Sequence, residues 1–126
     1  MSFKAFEPEG YAPPSVPYSS VVVSGDLVAT AGQVPLTPAG KLVGEDFREQ
    51  AEQVFVNLEA TLAAAGCTFA DVFKVNGYLT SFDDFPVYNE IYIRHFEAPL
   101  PARATIQAGL YGIKVEVEAW ARVPQG

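Results

Sequence analysis

From residue 45 to residue 65 apolar side chains return every three or four positions, at Phe47, Ala51, Val54, Phe55, Leu58, Leu62 and Ala65. That spacing lays one stripe along a helix, and Gly66 supplies the stop, so the pattern predicts a helix over Glu45–Ala65. On either side the period changes. Ser20–Ser24 and Leu27–Ala31 are short apolar runs separated by Gly25-Asp26, which predicts a β-hairpin, and the segment Gln33–Gly40, with Pro35 and Pro38, reads as a loop. Val72–Thr80 is rich in β-branched and aromatic residues and predicts a strand. Phe85, Tyr88, Ile91, Tyr92 and Phe96 then return to helical spacing, with Ser81 and Asp84 placed to cap the start and Pro86 confined to the first turn. Ala104–Leu110 reads as a strand, Tyr111-Gly112 as a turn, and Lys114–Ala121 alternates strictly. Residues 1–16, containing Tyr11-Ala12-Pro13-Pro14-Ser15-Val16, read as an extended lead-in.

The resulting order, ββαβαββ, with one apolar stripe per helix, predicts an α+β fold: a mostly antiparallel sheet with two helices on one face. Strand positions such as Val21, Val23, Val28, Val75, Tyr78, Val115 and Val117 supply more apolar surface than two helices need. Large exposed apolar patches usually mark interfaces, so the pattern predicts a homo-oligomer; a monomer with an apolar sheet face is the alternative.

Composition narrows the possibilities. At 126 residues the chain is the size of one domain, 49% apolar and 18% charged, and it lacks the run of about 18 apolar residues that a membrane span requires. No basic region followed by an apolar segment opens the chain, which predicts a soluble, cytoplasmic protein. The net charge is −7, and the eight basic residues are scattered singly, a poor match to phosphate backbones; no nucleic-acid partner is expected. One cysteine and one histidine do not assemble a disulfide or a zinc site, so no metal is expected. Cys67, with no acid or base beside it in sequence, reads as an inert thiol. His95, near the end of the second helix, reads as a polar surface residue without a catalytic role.

Chemistry concentrates on few residues. Arg103 sits inside the small, apolar stretch Pro99-Leu100-Pro101-Ala102-Arg103-Ala104-Thr105-Ile106-Gln107. A guanidinium there must reach solvent, pair with Glu116 or Glu118 of the last strand, or meet an anion such as a substrate carboxylate, which its planar fork grips with two parallel hydrogen bonds. Glu116 and Glu118, two apart on a strand, share a face. They are either a solvated acidic edge or the place where one carboxyl orients water and shuttles protons, a role that asks for partial burial. No serine-hydrolase elbow, phosphate loop or dinucleotide fingerprint is present.

Pro17-Tyr18-Ser19, Ala31-Gly32-Gln33-Val34-Pro35-Leu36, Gln50-Ala51 through Asn57-Leu58, Asn89 with Tyr92, Pro101-Ala102-Arg103 and Val115-Glu116-Val117-Glu118-Ala119 fall in the order and spacing of a known family. The chain resembles the Rid family, the reactive intermediate deaminases, also called YjgF-type or L-PSP-type proteins, from about Pro17 onward. The resemblance implies a chorismate-mutase-like fold assembled as a homotrimer with sites in the clefts between subunits. It implies hydrolysis of reactive enamines and imines, such as 2-aminoacrylate and 2-imino acids, to 2-oxo acids and ammonia without metal or cofactor. Carried onto this chain, Arg103 resembles the carboxylate-binding arginine and Glu116 the acid that places water and passes protons. Tyr18, Asn89 and the Gly32 backbone match pocket positions, all expected to form one small anion-binding pocket. Four departures concern substrate range: Val16 where a glycine is usual before Pro17, a turn at Leu110-Tyr111-Gly112 about two residues shorter than in common members, and two nearer the pocket. Ala31 stands where many members carry serine, and Thr105 where a cysteine often follows the arginine, although the Thr105 backbone N–H still serves carboxylate binding. A deaminase of a larger catabolic enamine, 2-aminomuconate-like, and a noncatalytic carboxylate-binding trimer are the competing readings.

Overall fold

A computed structural model describes residues 2–125; expectations that touch Met1 and Gly126 lie outside the described residues. The long helix, α1 (Phe47–Ala64), begins where Asp46 accepts the Glu49 backbone N–H at 3.1 Å. It ends in a motif that sequence alone announces: Gly66 adopts φ 79°, its N–H reaches the Ala63 carbonyl and that of Cys67 the Leu62 carbonyl. Only a residue without a Cβ enters that left-handed conformation without strain, so the glycine terminates the helix and satisfies its last carbonyls.

Six strands form one sheet: β1 (Lys4–Phe6), β2 (Val21–Ser24), β3 (Leu27–Thr30), β4 (Val72–Leu79), β5 (Ala102–Gln107) and β6 (Val115–Arg122), in the order β1-β2-β3-β6-β4-β5. All neighbours are antiparallel except β4 and β5. The second helix, α2 (Phe85–Tyr92), provides the crossover a parallel pair needs. The predicted α+β architecture with its mostly antiparallel sheet is what the chain adopts.

Several boundaries differ from the expectation. The lead-in holds a strand, β1, so the order is βββαβαββ; three exposed residues, Lys-Ala-Phe, carry no period to read. Ser81 caps a single 3-10 turn over Phe82–Asp84 by accepting the Asp83 N–H, while Asp84 makes no side-chain cap. Regular helix stops at Tyr92 and one 3-10 turn carries the chain to His95. β5 starts at Ala102 and ends at Gln107, because its pairing with β4 begins opposite Lys74 and ends opposite Leu79.

The core lies between the helices and one face of the sheet. Val54, Phe55, Leu58 and Leu62 of α1 and Tyr88 and Ile91 of α2 meet Val21, Val28, Val75, Leu79, Val115 and Val117, all fully buried. Each such side chain contributes roughly 1.5–3 kcal/mol relative to exposure. The valines counted as surplus are therefore core residues, and the apolar content of the other face comes from elsewhere: Leu27, Trp120 and Ile106 are 40%, 41% and 48% exposed. Gly77 marks a close contact between α2 and the sheet, since a Cβ there would stand 2.4 Å from the Tyr88 hydroxyl oxygen.

Candidate functional site

Strand pairing decides which candidate residues share a face. In the parallel pair, Val75 lies opposite Arg103 and Gly77 opposite Thr105. In the antiparallel pair, Val75 lies opposite Ala119, Gly77 opposite Val117 and Tyr78 opposite Glu116. Paired residues point the same way and neighbours alternate. Arg103 and Thr105 thus face the helices, whereas Glu116 and Glu118 face away from them. Of the readings open for Arg103, pairing with Glu116 or Glu118 of the same chain is ruled out on two counts: β4 separates β5 from β6, and the side chains leave opposite faces of the sheet.

Arg103 rests on α2. Its guanidinium carbon stands 4.7 Å from the centre of the Tyr92 ring, 5.6 Å from that of Phe85 and 5.8 Å from that of Tyr88, and Nη2 donates to Asn89 Oδ1 at 2.5 Å. Aromatic faces attract a guanidinium through their quadrupoles, so the charge is held without a counter-ion. The other exposed arginines of the region are paired, Arg48 with Glu90 and Arg94 with Glu52; among the described residues no carboxylate pairs with Arg103. Its free donors border an open recess of about 430 Å³ lined by Asn89, Tyr92, Ile93, Leu100 and Pro101. The Thr105 hydroxyl is buried beside this region, with no hydrogen-bond partner among the described residues.

Glu116 belongs to a second cluster. Its carboxyl packs across Gly32, where an added Cβ would stand 2.0 Å from Oε2. Gly32 is held there by its neighbour: the Gln33 N–H donates to the Val117 carbonyl at 2.7 Å, and Gln33 Oε1 accepts the Thr61 hydroxyl at 2.9 Å. Asn57 of α1 donates to the carbonyls of Val34 and Leu36 at 2.9 and 2.8 Å. Buried Gln33, Asn57 and Thr61 therefore pin the loop that supplies Gly32 to the first helix, which gives a structural reason for the polar positions within its apolar stripe. Burial pushes the Glu116 carboxyl above the usual carboxylate range, and the Glu118 charge on the same face adds to it. Glu118 is itself anchored, accepting from Tyr78 at 3.1 Å and from Asn76 at 3.3 Å. Tyr18 lies beside this cluster: partial burial, then the charges of Glu7 and Glu116, raise its phenol above the ordinary value.

One protomer thus brings together Arg103, Asn89 and Thr105 at one place and Glu116, Gly32 and Tyr18 at another. The single pocket expected from sequence does not form within one chain. The contact of Tyr92 and Phe85 with Arg103, and the place of Glu7 beside Tyr18, escaped the sequence reading, although Tyr92 stands with Asn89 in the family pattern. The two aromatic residues read as core at helical spacing, and Glu7 sits in a segment with no period. His95 is not a surface group: it stacks on Phe55 with ring centres 4.9 Å apart, and burial lowers its pKa. Cys67 is buried and its thiol is pushed up, which suits an inert role. No helix of the described residues is long and apolar enough to cross a membrane.

Comparison with known proteins finds relatives by sequence and by fold. The family described as Endoribonuclease L-PSP matches residues 10–123. The 2-iminobutanoate/2-iminopropanoate deaminase of Mus musculus is 42% identical over 108 residues, 83% of this chain and 80% of that protein. Among solved structures, RidA from the Antarctic bacterium Psychrobacter sp. superposes with a TM-score of 0.88 at 34% identity, covering 94% of this chain and 98% of that one. E. coli TdcF with bound serine superposes with a TM-score of 0.85 at 31% identity, covering 94% and 98%.

Proposed function

The chain belongs to the Rid family, matched as Endoribonuclease L-PSP, and from that premise we propose that it hydrolyses 2-imino acids and their enamine tautomers, such as 2-aminoacrylate, to 2-oxo acids and ammonia. The observation that carries the reading is the pair of incomplete clusters: among the described residues, a guanidinium paired with no carboxylate and a carboxyl with a raised pKa paired with no cation. They become one site when Arg103 of one protomer faces Glu116 of the next. A closed ring of three such heterologous contacts is the homotrimer, with three equivalent sites.

In that site Arg103 binds the substrate carboxylate through two parallel N–H donors, with the Thr105 backbone N–H as a further donor, and Asn89 keeps the fork oriented. Holding the imine carbon at a fixed place beside water converts much of the barrier into orientation already established on binding. Glu116, ionised, takes a proton from that water as its oxygen bonds to the imine carbon and passes it to the imine nitrogen, which becomes an amine and leaves the carboxylate ionised again. A second transfer through the same carboxyl moves the hydroxyl proton to nitrogen; the C–N bond breaks, ammonia leaves and the carbonyl forms. The raised pKa of Glu116 brings it nearer to neutral pH, where a group that alternately accepts and donates works best. Tyr18 and the Gly32 backbone form the wall beside this carboxyl.

The decisive experiment is subunit complementation. Arg103→Ala and Glu116→Ala proteins, each inactive toward imines generated in situ by an amino-acid oxidase, are unfolded together and reassembled. Random mixing in a cyclic trimer restores one intact site in every mixed assembly, so the whole population recovers about a quarter of wild-type activity. No recovery in verified mixed trimers would refute a site shared between protomers.

A further inference from the structure

The N-terminal strand delivers a carboxylate to which the mechanism above gives no task. We propose that Glu7 is a positioning residue: it clamps Ser20 and thereby holds Tyr18 beside Glu116, so that the N-terminal segment completes the carboxyl side of the site. The effect on turnover rests on the deaminase reading; the clamp itself does not.

The geometry starts from strand pairing. Phe6 lies opposite Val21, and one step further along the two chains Glu7 meets Ser20. Its Oε2 accepts the Ser20 backbone N–H at 2.9 Å and its Oε1 the Ser20 hydroxyl at 2.5 Å. Hydrogen bonds to an ionised acceptor are roughly twice as strong as neutral ones. On its other side Ser20 is tied to the loop over the site, since its carbonyl accepts the Ala31 N–H at 2.8 Å. Ser20 therefore links Glu7 to Ala31-Gly32, and Gly32 is the residue across which Glu116 packs. Tyr18, Ser20 and Gly32 line the same cavity, of about 310 Å³.

The segment leading to Tyr18 has few other means of support. Pro13, Pro14 and Pro17 have no backbone donor, and the Tyr18 N–H turns back locally to the Val16 carbonyl at 2.9 Å. Val16, Pro17 and Tyr18 are exposed, so packing against the core does not hold them. The Glu7–Ser20 pair is the anchor nearest to Tyr18, and the Tyr18 phenol senses the charges of both Glu7 and Glu116.

Two measurements on the full-length protein test this. The first is tyrosine ¹³C NMR, with the Tyr18 signal assigned by Tyr18→Phe. In Glu7→Gln and Glu7→Ala the Tyr18 phenol titrates at lower pH than in wild type. The second is imine turnover: Glu7→Ala raises KM about tenfold with kcat within about twofold, and Glu7→Gln, which retains an oxygen acceptor, recovers part of the loss. In a Tyr18→Ala background Glu7→Ala adds less than about twofold, because its effect runs through Tyr18. An unmoved Tyr18 titration in both variants, or a KM penalty that persists undiminished without Tyr18, overturns the proposal. A wild-type protein inert toward imines overturns the deaminase reading instead; the NMR measurement still tests the clamp, because both variants lose the charge and only the glutamine keeps an acceptor, so a Tyr18 titration lowered further in Glu7→Ala than in Glu7→Gln supports it and equal shifts overturn it.

Discussion

The two faces of the sheet treat a charged group in opposite ways, one accommodating a cation and the other disfavouring an anion. On the helix side, Arg103 keeps its positive charge by lying on Tyr92 and against Phe85, with Asn89 as its hydrogen-bond acceptor. On the open side, Glu116 is desolvated beside Glu118, and both effects favour its protonated form. The first arrangement stabilises a charge with groups that are not themselves charged, which leaves the fork free for an anion. The second makes a charge costly, which raises the carboxyl's pKa and favours its taking up a proton. In the proposed function neither cluster is a site alone, and together they would supply the two things an imine of a carboxylic acid requires, an anchor and a proton carrier.

That contrast is open to direct tests. The largest effect is expected at the anchor: Arg103→Ala lowers kcat/KM toward 2-imino acids on the order of a thousandfold, and Arg103→Lys recovers little, because a point charge reproduces neither the fork nor its fit to Tyr92. Steady-state kinetics of both variants, with sedimentation to confirm an unchanged assembly, check this; full activity in the lysine variant would show that charge alone suffices. A smaller effect is expected at the wall of the carboxyl cluster. Gly32→Ala puts a methyl group 2.0 Å from the present position of Glu116 Oε2, so the carboxyl must turn aside. The expected cost is roughly tenfold in kcat with little loss of melting temperature, since a 1 Å misplacement far outweighs its effect on the fold. The smallest effect sharpens the electrostatic half of the comparison. Glu116 works as a base when ionised, so kcat/KM falls as pH drops through its raised pKa. Glu118→Gln removes the like charge, lowers that pKa and moves the acidic limb of the pH profile to lower pH. A limb that stays in place would assign the shift to burial alone.

Much of this molecule was legible from local pattern. The stripe Phe47 to Leu62, the stop at Gly66 and the alternation Val115 to Ala121 each reflect a period set by backbone geometry, and each appears where the period places it. The candidate residues Arg103, Glu116, Gly32, Tyr18, Asn89 and Thr105 were likewise recognisable from the motifs they occupy. What escaped had no local signature. β1 is three residues long, and its partner Val21–Val23 lies fifteen or more positions away. Tyr92 and Phe85 have the spacing of core residues, and nothing nearby in sequence says that a guanidinium lies against them. Glu7 gains its meaning only from Ser20, which the β1–β2 pairing brings alongside.

The sequence by itself determined the elements, the acidic balance and the residues able to do chemistry, because period, capping and side-chain type are properties of neighbouring positions. It also determined that Glu116 and Glu118 share a face, since alternation within one strand is fixed by the pleat. Only the tertiary structure decided that Arg103 leaves the other face. Relative facing between strands depends on which strands pair and in what register, here β6-β4-β5 with Val75 between Ala119 and Arg103. That pairing is settled by burying the valines of β4 and β6 under two helices, a contact among residues far apart in the chain.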